Sequence, residues 1–155
     1  MLLGVGLLAC TSADFGTSGS GGADTIANCF PDADRINGGF FLFDLTVDDT
    51  SFSKRILSTQ NDAQVTLTLT NAGTKPHGFE VGCTNVASNF PSVPPGCPKS
   101  ACFPANSTIA PLAPDASATI TFDTPTPDGL IYPFKSSEPE DSAVPGLDDG
   151  QWSLD

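Results

Sequence analysis

The sequence predicts an all-β fold: an antiparallel, two-sheet Greek-key sandwich that carries a disulfide-rich insertion loop. Three observations support this class. Apolar and polar residues alternate in several short runs, Gly, Pro, Asn and Asp separate those runs, and no ten-residue segment shows a helical stripe. Two packed sheets bury the apolar face of each such strand.

The strand runs differ in how many apolar faces they present. Residues 40–47 (FFLFDLTV) are apolar on both faces at their start, so we expect this strand to be covered on both sides there. Residues 64–71 (QVTLTLTN) and 117–124 (SATITFDT) alternate cleanly and predict strands with one wet face. Two further runs, GLIYPF and GQWSLD, occupy residues 129–134 and 150–155.

Three residues in the last two runs carry specific expectations. Phe134 and Trp152 are predicted core anchors, because each lies on the apolar face of its run. Pro133 is expected at a sheet edge or a strand end, since it has no N–H to donate to a ladder.

The N-terminal residues MLLGVGLLAC end in Leu7-Leu8-Ala9-Cys10, which resembles the lipobox of bacterial lipoproteins. The resemblance implies a signal segment at residues 1–10, lipidation of Cys10, and a membrane partner reached through that lipid. No Lys or Arg precedes the apolar stretch, so we expect the true start to lie upstream. A soluble chain with an apolar end is the alternative. Nine residues before Cys10 are too few for a membrane-spanning helix, which needs about 20.

The domain boundaries follow from composition. Residues 11–28 are rich in Gly, Ser and Thr and predict a flexible tether, whereas residues 29–155 have the apolar content of a single folded domain. A tethered domain of this kind belongs in the bacterial cell envelope, as a periplasmic or cell-surface lipoprotein.

Cysteine count predicts disulfides in such an exported protein. Four cysteines remain beside Cys10, and they can form two disulfides in three ways that the sequence does not separate: Cys29, Cys83, Cys97 and Cys102. A zinc site is excluded because only one pair is closely spaced and the chain has a single histidine. Residues 83–106 lack periodicity, so we expect disulfides rather than a core to fix their shape.

Charge excludes one class of partner. The chain has 6 Lys and Arg against 18 Asp and Glu, which gives a formal net charge of −12. The basic residues form no dense patch, so nucleic acid is not an expected partner.

Residues 43–81, 109–134 and 150–154 together resemble a cupredoxin domain, the sandwich of plastocyanin and azurin. The resemblance is carried by the V-x-L-x-x-x-N strand before His77, by PDASATITF at residues 114–122, and by the aromatic-x-aromatic strand that reaches Ser136. It implies that His77 occupies the position of the first copper ligand and Ser136 that of the cysteine. The chain has no second histidine and no methionine after the signal segment, so most ligands of a type 1 copper centre are missing.

His77 is the only candidate for metal chemistry. Glu138, Glu140 and Asp141 could join it in a weak nitrogen and oxygen site if their loop folds over the histidine. The alternative is a polar residue that hydrogen-bonds across the end of the sandwich, and on that basis we expect His77→Ala to change stability little. We expect no cofactor, and copper binding is the one alternative to that expectation. The acidic C-terminal region has no spaced calcium loop.

The functional expectation is a binding or scaffolding module. An enzyme is not expected, because the sequence has no G-x-S-x-G turn and one histidine must serve any nucleophile scheme. The alternative is a copper-binding or electron-transfer protein with an atypical or partner-completed site around His77.

Overall fold

A computed structural model describes residues 38–89, 97–125 and 129–155. Within these ranges, two short helices and two 3-10 turns lie between the strands, at Val86–Asn89, Pro145–Asp148, Ala105–Ser107 and Pro139–Ala143. The strands are β1 (Phe40–Val47), β2 (Ile56–Thr59), β3 (Gln64–Asn71), β4 (His77–Val81), β5 (Cys83–Asn85), β6 (Ser100–Cys102), β7 (Ile109–Leu112), β8 (Ser117–Asp123), β9 (Ile131–Lys135) and β10 (Gly150–Leu154).

Two sheets form the sandwich, and a hairpin accompanies them. One sheet has the order β1-β3-β8, the other β2-β10-β9-β4-β7, and β5 pairs with β6. The predicted all-β, two-sheet class is confirmed. Most strand pairs are antiparallel, as predicted, while β1 runs parallel to β3 and β2 runs parallel to β10. The chain crosses to the second sheet between β1 and β3, so these neighbours share a direction.

The core lies between the inward faces of the two sheets. Val65, Leu67 and Leu69 of β3 are fully buried, as their alternation with threonine predicts. Phe134 and Trp152 are also fully buried, which confirms both as core anchors. The indole Nε1 of Trp152 donates to Thr59 Oγ1 at 2.9 Å, so its polar atom is satisfied inside the core.

Strand β1 differs from its prediction. Phe40 and Leu42 are 84% and 79% exposed, so within the described residues the start of this strand is covered on one side only. Phe40 and Leu42 lie on the face of the β1-β3-β8 sheet that carries Thr66 and Thr121, which is the face predicted to be wet.

The insertion contributes to the core, which sequence reasoning did not anticipate. A disulfide joins Cys83 of β5 to Cys102 of β6, and Cys97 is also disulfide-bonded. Phe103, which follows Cys102, is buried. Its ring centroid lies 4.8 Å from that of Tyr132 and 5.1 Å from that of Trp152. Aromatic packing therefore fixes this loop together with its disulfides.

Pro133 lies inside β9, between β10 and β4, so the edge prediction is wrong. Its missing N–H is tolerated because pairing between β9 and β4 ends at the pair of Val81 and Phe134. Beyond that pair Pro133 supplies only its carbonyl, which accepts the Gly82 N–H at 2.8 Å.

The predicted signal segment at residues 1–10, the tether at residues 11–28, Cys10 and Cys29 lie outside the described residues. The single-domain boundary at residue 29 stays a prediction for the same reason. In the described part of the chain, no helix has the length and apolarity needed to span a membrane.

Tyr132 generates the first testable prediction. Its hydroxyl is buried and has no hydrogen-bond partner among the described residues, and burial raises its pKa. Tyr132→Phe removes this unsatisfied group, so we expect the free energy of unfolding in urea to rise by about 1 kcal/mol.

Thr59→Val is the matched control, because it removes the partner of a buried indole N–H instead. We expect that variant to lose about 1 to 3 kcal/mol. A loss of stability in Tyr132→Phe would show that the hydroxyl makes a bond in solution.

Candidate functional site

The sequence-predicted site residues meet at one end of the sandwich. Three chain connections converge there: residues 48–55 after β1, residues 72–76 after β3, and residues 136–149 after β9. His77 begins β4 at the centre of this group and is 1% exposed.

Asn71, at the end of β3, shapes the turn that delivers His77. Its side-chain nitrogen donates to the carbonyls of Lys75 at 2.7 Å and Leu112 at 2.8 Å, while its oxygen accepts the Gly73 N–H at 2.8 Å. Fully buried, this amide satisfies backbone groups that the tight turn leaves open.

Asp49 ties the first connection to that turn. Its carboxylate accepts the Thr74 N–H at 2.8 Å, the Thr74 hydroxyl at 2.6 Å and the Lys75 N–H at 3.1 Å. The packing is close at Gly73, where a Cβ atom would come within 2.5 Å of Asp49 Oδ1 and 2.9 Å of His77 Nε2. A side chain at position 73 would therefore displace the Asp49 carboxylate or the His77 ring.

Both ring nitrogens of His77 face carboxylates. Nδ1 lies 2.8 Å from Asp141 Oδ2, and Nε2 lies 2.9 Å from Asp49 Oδ1. A neutral imidazole has one N–H and an ionised carboxylate has none, so the two bonds together require the protonated, positively charged ring. Only the imidazolium form of His77 can donate to both connections at once.

The electrostatics agree with this protonation state. Burial lowers the pKa of His77, but the hydrogen bonds and negative charges of Asp141 and Asp49 outweigh burial, so the pKa is raised overall above its ordinary 6.5. The pKa of Asp49 lies well below its usual range, first because of the Thr74 hydroxyl and second because of His77.

The connection after β9 folds back over the histidine. Ser136 Oγ accepts the N–H of Gly78 at 3.3 Å and that of Glu138 at 3.2 Å, and the Ser137 hydroxyl donates to the Ile109 carbonyl at 2.7 Å. Leu147 is fully buried and anchors the C-terminal part of this connection. Asp141 thereby reaches Nδ1 from the 3-10 turn Pro139–Ala143.

A cavity of about 370 Å³ lies above the histidine. It brings together the four sequence-predicted residues, because the loop does fold over His77. Sequence reasoning missed two important members of the lining, Asp49 and Lys75, since neither belongs to a recognisable motif. The full lining is Asp49, Lys75, Pro76, His77, Glu138, Glu140, Asp141 and Val144.

The donor set does not suit a metal ion. Among the described residues, no group of three or more His, Cys, Asp or Glu side chains is arranged to hold one. Asp49 and Asp141 bind opposite nitrogens of one ring, so their oxygens and a nitrogen lone pair do not converge on a point. Ser136 offers a hydroxyl instead of the soft thiolate that type 1 copper requires.

Solved structures of copper proteins share this arrangement of strands. Auracyanin A, a "blue" copper protein from Chloroflexus aurantiacus, superposes with a TM-score of 0.50 at 17% identity, covering 76% of this chain and 100% of its own. Azurin from Methylomonas sp. strain J gives 0.50 at 17%, over 74% and 97%. The chain has the cupredoxin fold.

The cupredoxin fold also occurs within larger proteins. A multicopper oxidase superposes with a TM-score of 0.50 at 18% identity over 75% of this chain, but over only 42% of its own. No protein-family model and no curated sequence matches this chain. At these identities the comparison establishes the fold alone. In this chain His77 begins β4 and Ser136 follows the neighbouring strand β9, where its Oγ accepts the Gly78 N–H.

The bridge generates the second prediction. His77→Ala leaves the Asp141 carboxylate, which is 8% exposed, without its histidine partner. Removing one member of a buried ion pair is strongly destabilising, so we expect a loss of about 3 kcal/mol in urea unfolding. The sequence alone predicted that His77→Ala changes stability little. The burial of His77 leads us to expect this larger loss instead.

The control is the double variant His77→Ala/Asp141→Asn, which removes both buried charges. We expect it to recover part of the loss, with a coupling energy measured by the double-mutant cycle. A single His77→Ala variant as stable as the wild type would contradict the bridge.

Proposed function

We propose that this protein is a copper-free, non-catalytic cupredoxin-like module of the bacterial cell envelope that acts by binding or scaffolding. One observation carries the copper-free part: both nitrogens of the only histidine are hydrogen-bonded to carboxylates in a buried position. A copper ligand needs a nitrogen lone pair, and the imidazolium has none.

The remaining donors support the same proposal. A type 1 centre uses one thiolate and two imidazoles, whereas Cys83, Cys97 and Cys102 are disulfide-bonded and Ser136 stands at the end of β9. The two hydrogen bonds of His77 join the connection after β1 to the connection after β9 without a metal ion.

The cavity supports a binding role. It is concave, and its lining offers the ammonium of Lys75 beside the carboxylates of Glu138 and Glu140. Within the described part of the chain none of these three groups forms an ion pair, so their charges remain available to a ligand in the cavity. Fold alone does not decide among functions, so the binding role rests on this charged lining.

Envelope attachment rests on the lipobox-like residues before Cys10 and on the tether that follows. A lipid on Cys10 would hold the sandwich off the membrane at the end of residues 11–28.

Copper binding is tested on purified protein. After incubation with Cu(II) and removal of excess metal, we expect substoichiometric copper and no intense visible absorption from a copper–thiolate bond. His77→Ala is the matched control and should retain the same small amount of copper. Stoichiometric copper with a visible band would overturn the copper-free proposal, and so would colourless binding that is lost in His77→Ala.

Lipid attachment is tested by expressing the full chain in a bacterial host. We expect the wild type in the membrane fraction and Cys10→Ala in the soluble fraction, because the variant lacks the lipid-bearing thiol. Thr11→Ala is the control and should stay with the membrane. Identical fractionation of wild type and Cys10→Ala would contradict the anchor without bearing on the copper result.

A further inference from the structure

The two hydrogen bonds of His77 are unequal in their surroundings. The Asp141 carboxylate is 8% exposed, and His77 is its only side-chain hydrogen-bond partner within the described part of the chain. If that bond broke, a nearly buried carboxylate would lose its compensation for being withdrawn from water.

Asp49 is in the opposite situation. Its side chain is 32% exposed, and the Thr74 hydroxyl and the N–H groups of Thr74 and Lys75 also bind its oxygens. Loss of the bond to His77 would leave this carboxylate hydrated and with three other donors.

We propose that His77 is a one-sided pH switch, in which alkaline pH removes the proton from Nε2, breaks the bond to Asp49 and preserves the Nδ1–H bond to Asp141. The step transfers one proton from Nε2 to water and leaves a neutral Nδ1–H ring. Apart from this N–H bond, no covalent bond of the protein is formed or broken. The Nε2 lone pair then faces Asp49 Oδ1, acceptor against acceptor, and the two groups repel.

The other charges around the ring come from every connection packed against it. Lys75 in the turn before β4 lines the cavity over the ring, as do Asp49 after β1 and Glu138, Glu140 and Asp141 after β9. Carboxylates outnumber the single ammonium in this lining, so the lining favours the protonated form of the ring. This agrees with the raised pKa of His77. A raised folded-state pKa means that the bridge contributes its full stability below pH 6.5 and loses it as pH rises through the raised value.

The structural consequence is confined to one wall of the cavity. Asp49 remains bonded to Thr74 and Lys75, and Asn71 holds the turn after β3 in place, so only the Asp49 carboxylate moves away from Nε2. The opposite wall stays in place, because Asp141 keeps its bond and Leu147 anchors the segment. Alkaline pH therefore widens the cavity from the Asp49 side. The switch goes beyond the proposed function, since it requires neither a ligand nor an anchor.

The single histidine makes the test direct, because imidazole nitrogen NMR signals from this chain have one possible source. In a titration of ¹⁵N-labelled protein, we expect both nitrogens protonated below pH 6.5 and a midpoint above it. Nε2 should then move to the unprotonated frequency while Nδ1 stays protonated. The backbone amides of Gly73 and Thr74 should shift with the same midpoint, and that of Val144 should not.

Two variants separate the switch from ordinary histidine titration. Asp141→Asn should invert the neutral tautomer, because Asp49 becomes the only carboxylate acceptor and the proton stays on Nε2. Glu140→Gln, at a cavity carboxylate that does not touch the ring, should keep the wild-type tautomer. If Asp141→Asn does not fold, the wild-type titration still decides. A neutral ring below pH 6.5, loss of the Nδ1 proton first, or equal shifts on both walls would each overturn the proposal.

Discussion

The hydrogen bonds of His77 to Asp49 and Asp141 are the interaction on which the cavity end of this sandwich depends. Each carboxylate belongs to a different connection, and one buried ring joins them. Because the ring is protonated, it supplies a donor to both sides and offsets part of a dense negative charge. The neighbouring groups follow from this arrangement: Gly73 is small enough to lie over the Asp49 contact, and Asn71 shapes the turn that brings the histidine there. The cavity has its present lining because these connections are held at a fixed distance from one another.

The rest of the sandwich is stabilised by a different kind of interaction. Trp152, Phe134 and Phe79 pack with the inward residues of β3 in an apolar core, and the insertion adds Phe103 to it. Burial of apolar area is not directional, so this core tolerates varied connections at its ends. Those ends are specified by hydrogen bonds, which require particular atoms at particular distances. The division explains how a fold shared with auracyanin and azurin can carry an end that is chemically unlike a copper site.

A proton and a metal ion can fill related structural roles, since each places positive charge between electron-rich side chains. They differ in the chemistry that they permit. A bound metal offers redox chemistry and an open coordination position, whereas an imidazolium offers reversible loss of charge as the pH rises through its pKa. In this chain the second property is the one that the surroundings of His77 favour. Its two carboxylates differ fourfold in exposure, 8% against 32%, so loss of the proton has a preferred direction.

The sequence by itself determined the strands of cleanest alternation, the two aromatic core anchors and the shortage of copper ligands, because periodicity of two and residue counts are local properties. Only the tertiary structure decided the parallel pairing of β1 with β3, the burial of Phe103 and the position of Pro133 inside a sheet. It also decided the site. Asp49 and Asp141 lie 28 and 64 positions from His77 in the chain. No pattern of neighbouring residues marks such contacts, because the path of the chain between the two sheets sets them.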